Sequence, residues 1–287
     1  MRGRRAARRR PLVAPVPEGP EIRREADALA RALAGRTLVR VDYRMPTLAA
    51  RARALVGRRV LRVYSRGKAM LIAFDNGLTH YSHNQLYGEW QVLGAARDPE
   101  DGRQVRAVLG TERHLAVLYS ATDVALLDDA ALLRHPFLAR LGPDVLDRST
   151  TRAAIAARFA DPRRARATLA ALLLDQRFLA GVGNYLRSDI LFAAGLRPSR
   201  RAGSLTEAEQ ERLADTVYAL PRQSLRTRGI TNDRDRAAAL RRAGTAFEDY
   251  RFLVYAREGE PCWRCRATIR RDDAAGRAVF YCPRCQR

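Results

Sequence analysis

Lysine is nearly missing from this 287-residue chain: of 53 basic residues, all but Lys68 are arginine. Arginine replaces lysine wherever only positive charge matters. It cannot where a compact amine must fit or must give and take a proton. Lys68, in Ser65-Arg66-Gly67-Lys68-Ala69 between two strand-like runs, is therefore a candidate for chemistry or a tight phosphate contact, against the alternative of a chance survivor. Cysteine is absent before residue 262, which excludes a disulfide scaffold for the body. No run approaches the ~18 apolar residues of a membrane span. The Arg-rich opening has no apolar stretch after it, which argues against a secretory signal and leaves only a weak transit-peptide character. Acidic residues are absent from the first sixteen positions, which hold six arginines, two prolines and no periodicity. A disordered basic extension is expected over 1–16.

What is present is charge of one sign. The net charge is +22 and the isoelectric point about 11.2. The six arginines of the opening account for only part of this, so the body is basic too. Such a chain needs a polyanionic partner, nucleic acid before a membrane surface. The length predicts two or three domains, and 47% apolar residues allow real cores.

One stretch carries unusual chemistry, Val16-Pro17-Glu18-Gly19-Pro20-Glu21. As a free N-terminus, a proline nitrogen is a secondary amine that attacks a sugar aldehyde carbon and gives an iminium. A buried Glu18 beside it could move protons in the same reaction. The plainer reading is that Pro17 and Pro20 start a helix.

From Pro20 the pattern is helical, with Ile22, Ala26, Leu29, Ala30 and Leu33 on one face and Gly35 as the stop. Short strand-like runs follow: Thr37–Tyr43, Arg59–Tyr64, Ala69–Phe74, Thr79–Ser82, Glu89–Leu93, Val105–Leu109, His114–Tyr119 and Val124–Leu126. Arg51–Val56 reads as a second helix and Asp75-Asn76-Gly77 as a hairpin turn. Many short strands between turn residues predict a β-sandwich. After about Asp128 the texture turns helical: Asp128–Leu133, Thr151–Phe159, Ala167–Leu173, Arg187–Ala194 and Thr206–Leu220. Gly181-Val182-Gly183-Asn184 reads as a tight turn into a helix, whose N–H groups can face a phosphate, or as a plain linker in a core. Ile230–Thr245, polar and Arg-rich, is expected to be a mobile loop.

All four cysteines fall in two pairs, Cys262-x2-Cys265 and Cys282-x2-Cys285. That spacing predicts one tetrahedral zinc with no open position, in preference to two disulfides. Ribbon strands are expected over Thr268–Arg271 and Val279–Tyr281, with Arg277 near the turn, placed for a phosphate.

The motifs Pro-Glu-Gly-Pro-Glu (17–21), Arg-Gly-Lys (66–68), Tyr-Ser-His-Asn-Gln-Leu-Tyr-Gly (81–88), Gly-Pro-Asp-Val-Leu (142–146), Leu-Leu-Asp-Gln…Leu-Ala-Gly-Val-Gly-Asn-Tyr-Leu-Arg (173–187) and the zinc pairs together resemble the formamidopyrimidine-DNA glycosylase and endonuclease VIII family, most of all its bacterial endonuclease VIII branch. The resemblance covers Pro17 to Arg287. It implies an α+β multidomain chain: a β-sandwich with flanking helices (17–145), a helix–two-turns–helix domain (146–246) and a zinc ribbon (247–287), with damaged duplex DNA in the cleft. It implies a bifunctional DNA glycosylase and abasic-site lyase of base excision repair, cytoplasmic, at the bacterial nucleoid, monomeric, with one structural zinc and no small-molecule cofactor. By the same resemblance Pro17 is the nucleophile and Glu18 the acid or base that helps open the sugar. Glu21 supports the site, and Lys68 lies by the phosphate and assists strand cleavage. Gln85, Leu86 and Tyr87 match the wedge that fills the gap of a flipped base. Asn184 and Arg277 match phosphate clamps. Asp189 departs from the family, which tends to carry glutamate there; one methylene less changes its reach. The Gln-Leu-Tyr wedge and Pro221-Arg222-Gln223-Ser224…Thr227-Arg228-Gly229 look more like the oxidised-pyrimidine branch than the oxidised-purine branch.

Other readings stay open beside this one. They are a purine-specific relative and a DNA- or lesion-binding protein without catalysis. The latter gains weight because Pro17 as written is an internal amide. An enzyme that uses Pro17 needs residues 1–16 gone, and Val16 could be a bacterial start codon read as methionine and then removed.

Overall fold

The computed structural model describes residues 16–99 and 102–287. The expected disordered extension therefore lies outside the described residues except for Val16.

The chain opens with α1 (Gly19–Leu33). Its N-terminus is closed by a capping box between Glu18 and Glu21, with Pro20 in the first turn. Ile22, Ala26, Leu29 and Leu33 are buried at helical spacing; Ala32 joins them, while Ala30, expected on that face, is only half-buried. There follow β1 (Arg40–Tyr43), α2 (Pro46–Ala52), β2 (Val60–Arg66), β3 (Ala69–Phe74), β4 (Thr79–His83), β5 (Glu89–Gly94), β6 (Val105–Gly110), β7 (His114–Tyr119) and β8 (Asp123–Leu127). They form two four-stranded antiparallel sheets, in the orders β1-β6-β7-β5 and β2-β3-β4-β8. Residues of both sheets and of α1 share one core, which includes Ile22, Leu29, Met70, Ile72, Trp90, Leu109 and Leu118. The sandwich is as expected, with α1 laid along it. The helix expected over Arg51–Val56 starts earlier, at Pro46, and finishes as a 3-10 turn over Arg53–Leu55.

The second half holds α3 (Asp129–Arg134), α4 (Arg152–Ala160), α5 (Leu169–Leu174), α6 (Asn184–Ala194), α7 (Glu207–Arg226), α8 (Arg234–Arg242) and α9 (Phe247–Tyr250), then the hairpin β9 (Arg270–Ala274) and β10 (Arg277–Tyr281). A separate core gathers Ile155, Phe159, Leu173, Phe178, Leu186, Ile190, Leu213 and Val217. A third, smaller one packs Phe192 of α6 against Val254, Cys262, Ile269 and Phe280 of the ribbon.

Two expectations about this half fail. The helix expected to stop at Leu220 runs on through Pro221 to Arg226. Its last turn is fastened by the Gln223 side chain, which donates to the Ile230 and Asn232 carbonyls, and Ser224 is fully buried. Ile230–Thr245 is not a mobile loop but largely the helix α8. Asp233 caps it by accepting from Arg236 N–H at 2.9 Å, Asp235 sits in its first turn, and Arg241 and Arg242 sit in its last. The segment before it is pinned as well, because Asn232 Nδ2 donates to the Tyr250 carbonyl at 2.8 Å.

Candidate active site

Glu18 is only 3% exposed, yet it faces the other half of the molecule. Its carboxylate accepts from the N–H groups of Gly183 (2.6 Å), Tyr185 (2.8 Å) and Leu186 (3.3 Å) at the start of α6. A helix N-terminus leaves such donors unpaired and favours negative charge there. The expectation that the Gly181–Asn184 turn offers its N–H groups to a phosphate therefore fails for Gly183, whose amide Glu18 occupies, and for Gly181, whose amide donates to Gln176 Oε1 at 3.0 Å. The two halves are also joined by backbone: Gly19 N–H donates to the Gly181 carbonyl at 2.8 Å.

Lys68 arrives at the same place from the sandwich. It occupies the two-residue turn between β2 and β3, where Arg66 pairs with Ala69 and Gly67 takes φ +58°, a conformation glycine adopts without steric cost. Asp144 holds this turn, accepting from Gly67 N–H through Oδ2 (2.7 Å) and from Leu146 N–H through Oδ1 (2.8 Å). A Cβ placed on Gly183 would stand 2.4 Å from the Glu18 carboxyl carbon and 2.7 Å from Lys68 Nζ. Gly183 is thus the floor on which acid and amine meet, and a larger residue would collide with both. Pro17, half-buried, is covalently next to Glu18.

The electrostatics follow from that crowding. Burial pushes the Glu18 carboxyl up to about 7, against the opposing pull of Lys68 and the amides of Tyr185 and Gly183. Burial lowers the Lys68 ammonium, helped by Arg277 and Arg187 and opposed by Glu18. Burial moves the acid up and the amine down, toward one another's range, the arrangement of a pair between which a proton can pass. Glu21 stands behind Glu18. Its Oε2 accepts from Glu18 N–H (3.1 Å) and from the Tyr185 hydroxyl (2.8 Å), and Oε1 lies 3.7 Å from Arg251.

The exposed loop after β4 is adjacent, since His83 pairs with Ala69 beside Lys68. Leu86 and Tyr87 are 62% and 77% exposed, and Gln85 is exposed with φ +51°. Unsupported apolar side chains on a rigid loop suit insertion into something. On the other side, Asn184 Oδ1 accepts from Arg187 Nη2 at 3.3 Å. The same guanidinium donates to the carbonyls of Ala274 (3.0 Å), Arg277 (3.1 Å) and Ala278 (2.9 Å). Buried Arg187 therefore ties Asn184 to the ribbon turn that carries exposed Arg277. Glu18, Lys68 and Gly183 meet at one junction between the sandwich and α6, and Arg187 links Asn184 to the ribbon turn.

Asp189 is elsewhere. Fully buried on α6, it accepts from the N–H groups of Leu253, Val254 and Tyr255 at 2.9–3.0 Å and from the Thr231 hydroxyl. It is a tether between α6 and the chain leading into the ribbon.

The four cysteines are free thiols whose sulfurs all lie within 4.8 Å of one another, with Cys262–Cys285 at 3.8 Å and Cys265–Cys282 at 3.4 Å. A tetrahedral zinc with Zn–S near ~2.3 Å asks for sulfurs about 3.8 Å apart. The set fits one structural zinc and not two disulfides.

Asp144, Tyr185 and Arg187 were inside recognisable motifs, but nothing local assigns them a role, because the partners that matter, Gly67 for Asp144, Glu21 for Tyr185 and the ribbon carbonyls for Arg187, are far away in sequence. The sole-lysine signal, by contrast, led directly to the junction.

Known proteins resemble this chain over most of its length. Residues 16–124 match the formamidopyrimidine-DNA glycosylase N-terminal domain, 141–235 the formamidopyrimidine-DNA glycosylase H2TH domain, and 259–287 the zinc finger found in FPG and IleRS. Endonuclease 8 of Pectobacterium carotovorum is 43% identical over 272 residues, 95% of this chain and all of that protein. Endonuclease 8 of Klebsiella pneumoniae is 42% identical over 271 residues, 94% of this chain and all of that protein. The structure of Lactococcus lactis Fpg with abasic-site DNA has a TM-score of 0.77 at 19% identity, covering 94% of this chain and 99% of that one. The structure of MutM with DNA containing carbocyclic 8-oxo-G also has a TM-score of 0.77 at 19% identity, over 94% of this chain and 100% of that one. With the sandwich, the H2TH helices, the four-cysteine ribbon and a full-length match above 40% identity, this chain belongs to the formamidopyrimidine-DNA glycosylase and endonuclease VIII family.

Proposed function

We propose that the protein is a bifunctional DNA glycosylase and abasic-site lyase that removes oxidised pyrimidines, working through a Schiff base on Pro17. The observation that carries this is the meeting of Glu18 and Lys68 over Gly183, with Pro17 next in the chain. The preference for pyrimidines rests on the likeness of Gln85-Leu86-Tyr87 and of Pro221-Arg222-Gln223-Ser224…Thr227-Arg228-Gly229 to the oxidised-pyrimidine branch of the family.

The steps assign each residue a task. Gln85, Leu86 and Tyr87 enter the stack as the damaged nucleotide swings out. Asn184 and Arg277 grip the flanking phosphates. The Pro17 nitrogen bonds to C1′ and gives up its proton, the bond from C1′ to the base breaks and the leaving base takes up that proton, and Glu18 in its acid form protonates the sugar oxygen as the ring opens to the iminium. The resulting iminium withdraws electrons and acidifies the C2′–H. Loss of that proton expels the 3′ phosphate, and a second elimination expels the 5′ phosphate. Lys68, beside the phosphate, moves protons in these steps, and Glu21 holds Glu18 in place. The zinc, held by Cys262, Cys265, Cys282 and Cys285, is structural and keeps the hairpin of Arg277 folded.

For Pro17 to serve, its nitrogen must be a free amine, so the active form begins at Pro17. Strand scission of duplexes bearing one oxidised pyrimidine or one oxidised purine tests the substrate assignment. The pyrimidine duplex is expected to be cut, leaving phosphate on both flanking ends, and to outcompete the purine duplex. Preference for the purine lesion would overturn it.

A further inference from the structure

The base of the exposed wedge loop is fastened to α1 by a contact that the steps above do not use. Asn84 is 2% exposed, and its Nδ2 donates to Glu25 Oε2 at 2.8 Å. Glu25 lies on the helix that begins beside Glu18, about two turns further on. Above Asn84 the loop is closed tightly. Gly88 N–H donates to the Asn84 carbonyl at 2.7 Å, and a Cβ on Gly88 would stand 2.6 Å from the Asn84 backbone. Gln85 N–H donates to His83 Nδ1 at 3.1 Å, and Gln85 Oε1 accepts from the Thr122 hydroxyl at 2.7 Å. Those contacts hold the loop to the sandwich. The one from Asn84 to Glu25 ties it to the helix that carries the acid.

One atom of that contact is left over: Asn84 Oδ1 is buried and has no hydrogen-bond partner among the described residues. A carboxylate beside it has no hydrogen to offer. A neutral carboxylic acid accepts from Nδ2 through one oxygen and can donate its O–H to Oδ1 from the other, so both ends of the amide are satisfied. We infer that Glu25 is a positioning residue for the wedge, acting as a neutral acid clasped to Asn84, and that it sets where Gln85, Leu86 and Tyr87 stand relative to Glu18 and Pro17. The inference rests on the reading of this loop as a wedge.

The groups facing Glu25 favour that protonation state. Burial, Glu89 at the start of β5 and Glu21 on its own helix push the carboxyl up to about 7, against Asn84 and neighbouring Arg24. The clasp is closed below that pH and opens as the pH rises through it.

The test separates the loop from the chemistry. Excision from a duplex needs the wedge; scission of a single strand at a ready-made abasic site does not. The ratio of the two rates isolates the loop and cancels Glu18, which serves both. In the wild-type enzyme the ratio is expected to fall about tenfold between about pH 6 and pH 8, the order that one hydrogen bond carries. Glu25→Gln, whose amide both accepts and donates without titrating, is expected to keep the high ratio throughout. Glu25→Ala is expected to have a low ratio at every pH. A Glu25→Gln profile that falls like wild type would overturn the inference, and this comparison decides it even if Glu25→Ala does not fold. A ratio lowered by Leu86→Ala but untouched by Glu25→Ala overturns the inference alone. If Leu86→Ala leaves the ratio unchanged, the loop is no wedge and the inference falls with that reading.

Discussion

Glu18 and Lys68 share one desolvated space, and their neighbours set their protonation states. Lys68→Arg keeps the charge but puts a planar, permanently protonated group where a compact amine fits over Gly183. It is expected to lose most activity, roughly a hundredfold or more as for loss of acid–base assistance, measured as single-turnover excision from a damaged duplex. Full activity would reduce the sole lysine to a chance survivor. In the proposed steps Glu18 works in its acid form. With its carboxyl raised to about 7, the proton it donates is present below that pH and lost above it. The single-turnover rate of base release is therefore expected to decline as the pH passes upward through 7, and Glu18→Gln is expected to be slow and to lack that decline. The same rise has a consequence for stability. A carboxyl whose folded pKa is raised favours the fold below its unfolded value, and that contribution is lost as pH climbs to about 7.

At the scale of elements, the joints are as informative as the helices and strands. Asp189 fastens α6 to the segment entering the ribbon through three backbone amides and Thr231. Asp189→Ala leaves those buried donors unpaired and is expected to cost about 3 kcal/mol or more, read by denaturant unfolding. The ribbon is a small unit with its own core, so Cys282→Ser is expected to lose zinc and DNA binding while the sandwich stays folded, checked by metal analysis and circular dichroism. Intact zinc content in that variant would contradict the four-cysteine site. These joints explain what was legible beforehand. The strands of the sandwich were, because alternation and turn residues are local signals; so were the zinc pairs, because four cysteines at fixed spacing have few alternatives. The helix α8 was missed because its polar surface hid an Asp233 cap and an alanine run, Ala237 to Ala239, among five arginines and aspartates. The Gly181–Asn184 turn was recognised as a donor of N–H groups, but its acceptor was not. The carboxylate that fills it, Glu18, is 165 residues from Gly183 in the chain, and no local pattern reports such a pairing.

Across the whole molecule, positive charge and the junction between halves act together. Affinity for undamaged duplex is expected to fall with salt at a slope of about −0.9 per phosphate neutralised in a log–log plot. Arg277→Ala is expected to lower that slope and weaken binding to all lesions alike, with zinc retained; an effect on one lesion type alone would mean that Arg277 reads the base. The chemistry proposed at the junction depends on a free amine at Pro17. Borohydride reduction during reaction with damaged duplex tests this most directly, because it fixes an iminium as a stable covalent complex. Protein beginning at Pro17 is expected to be trapped on DNA, and protein retaining residues 1–16 is expected to give no trapped complex. Equal trapping of the form with residues 1–16 intact would contradict the assignment of Pro17 as nucleophile and leave Lys68 as the amine to examine.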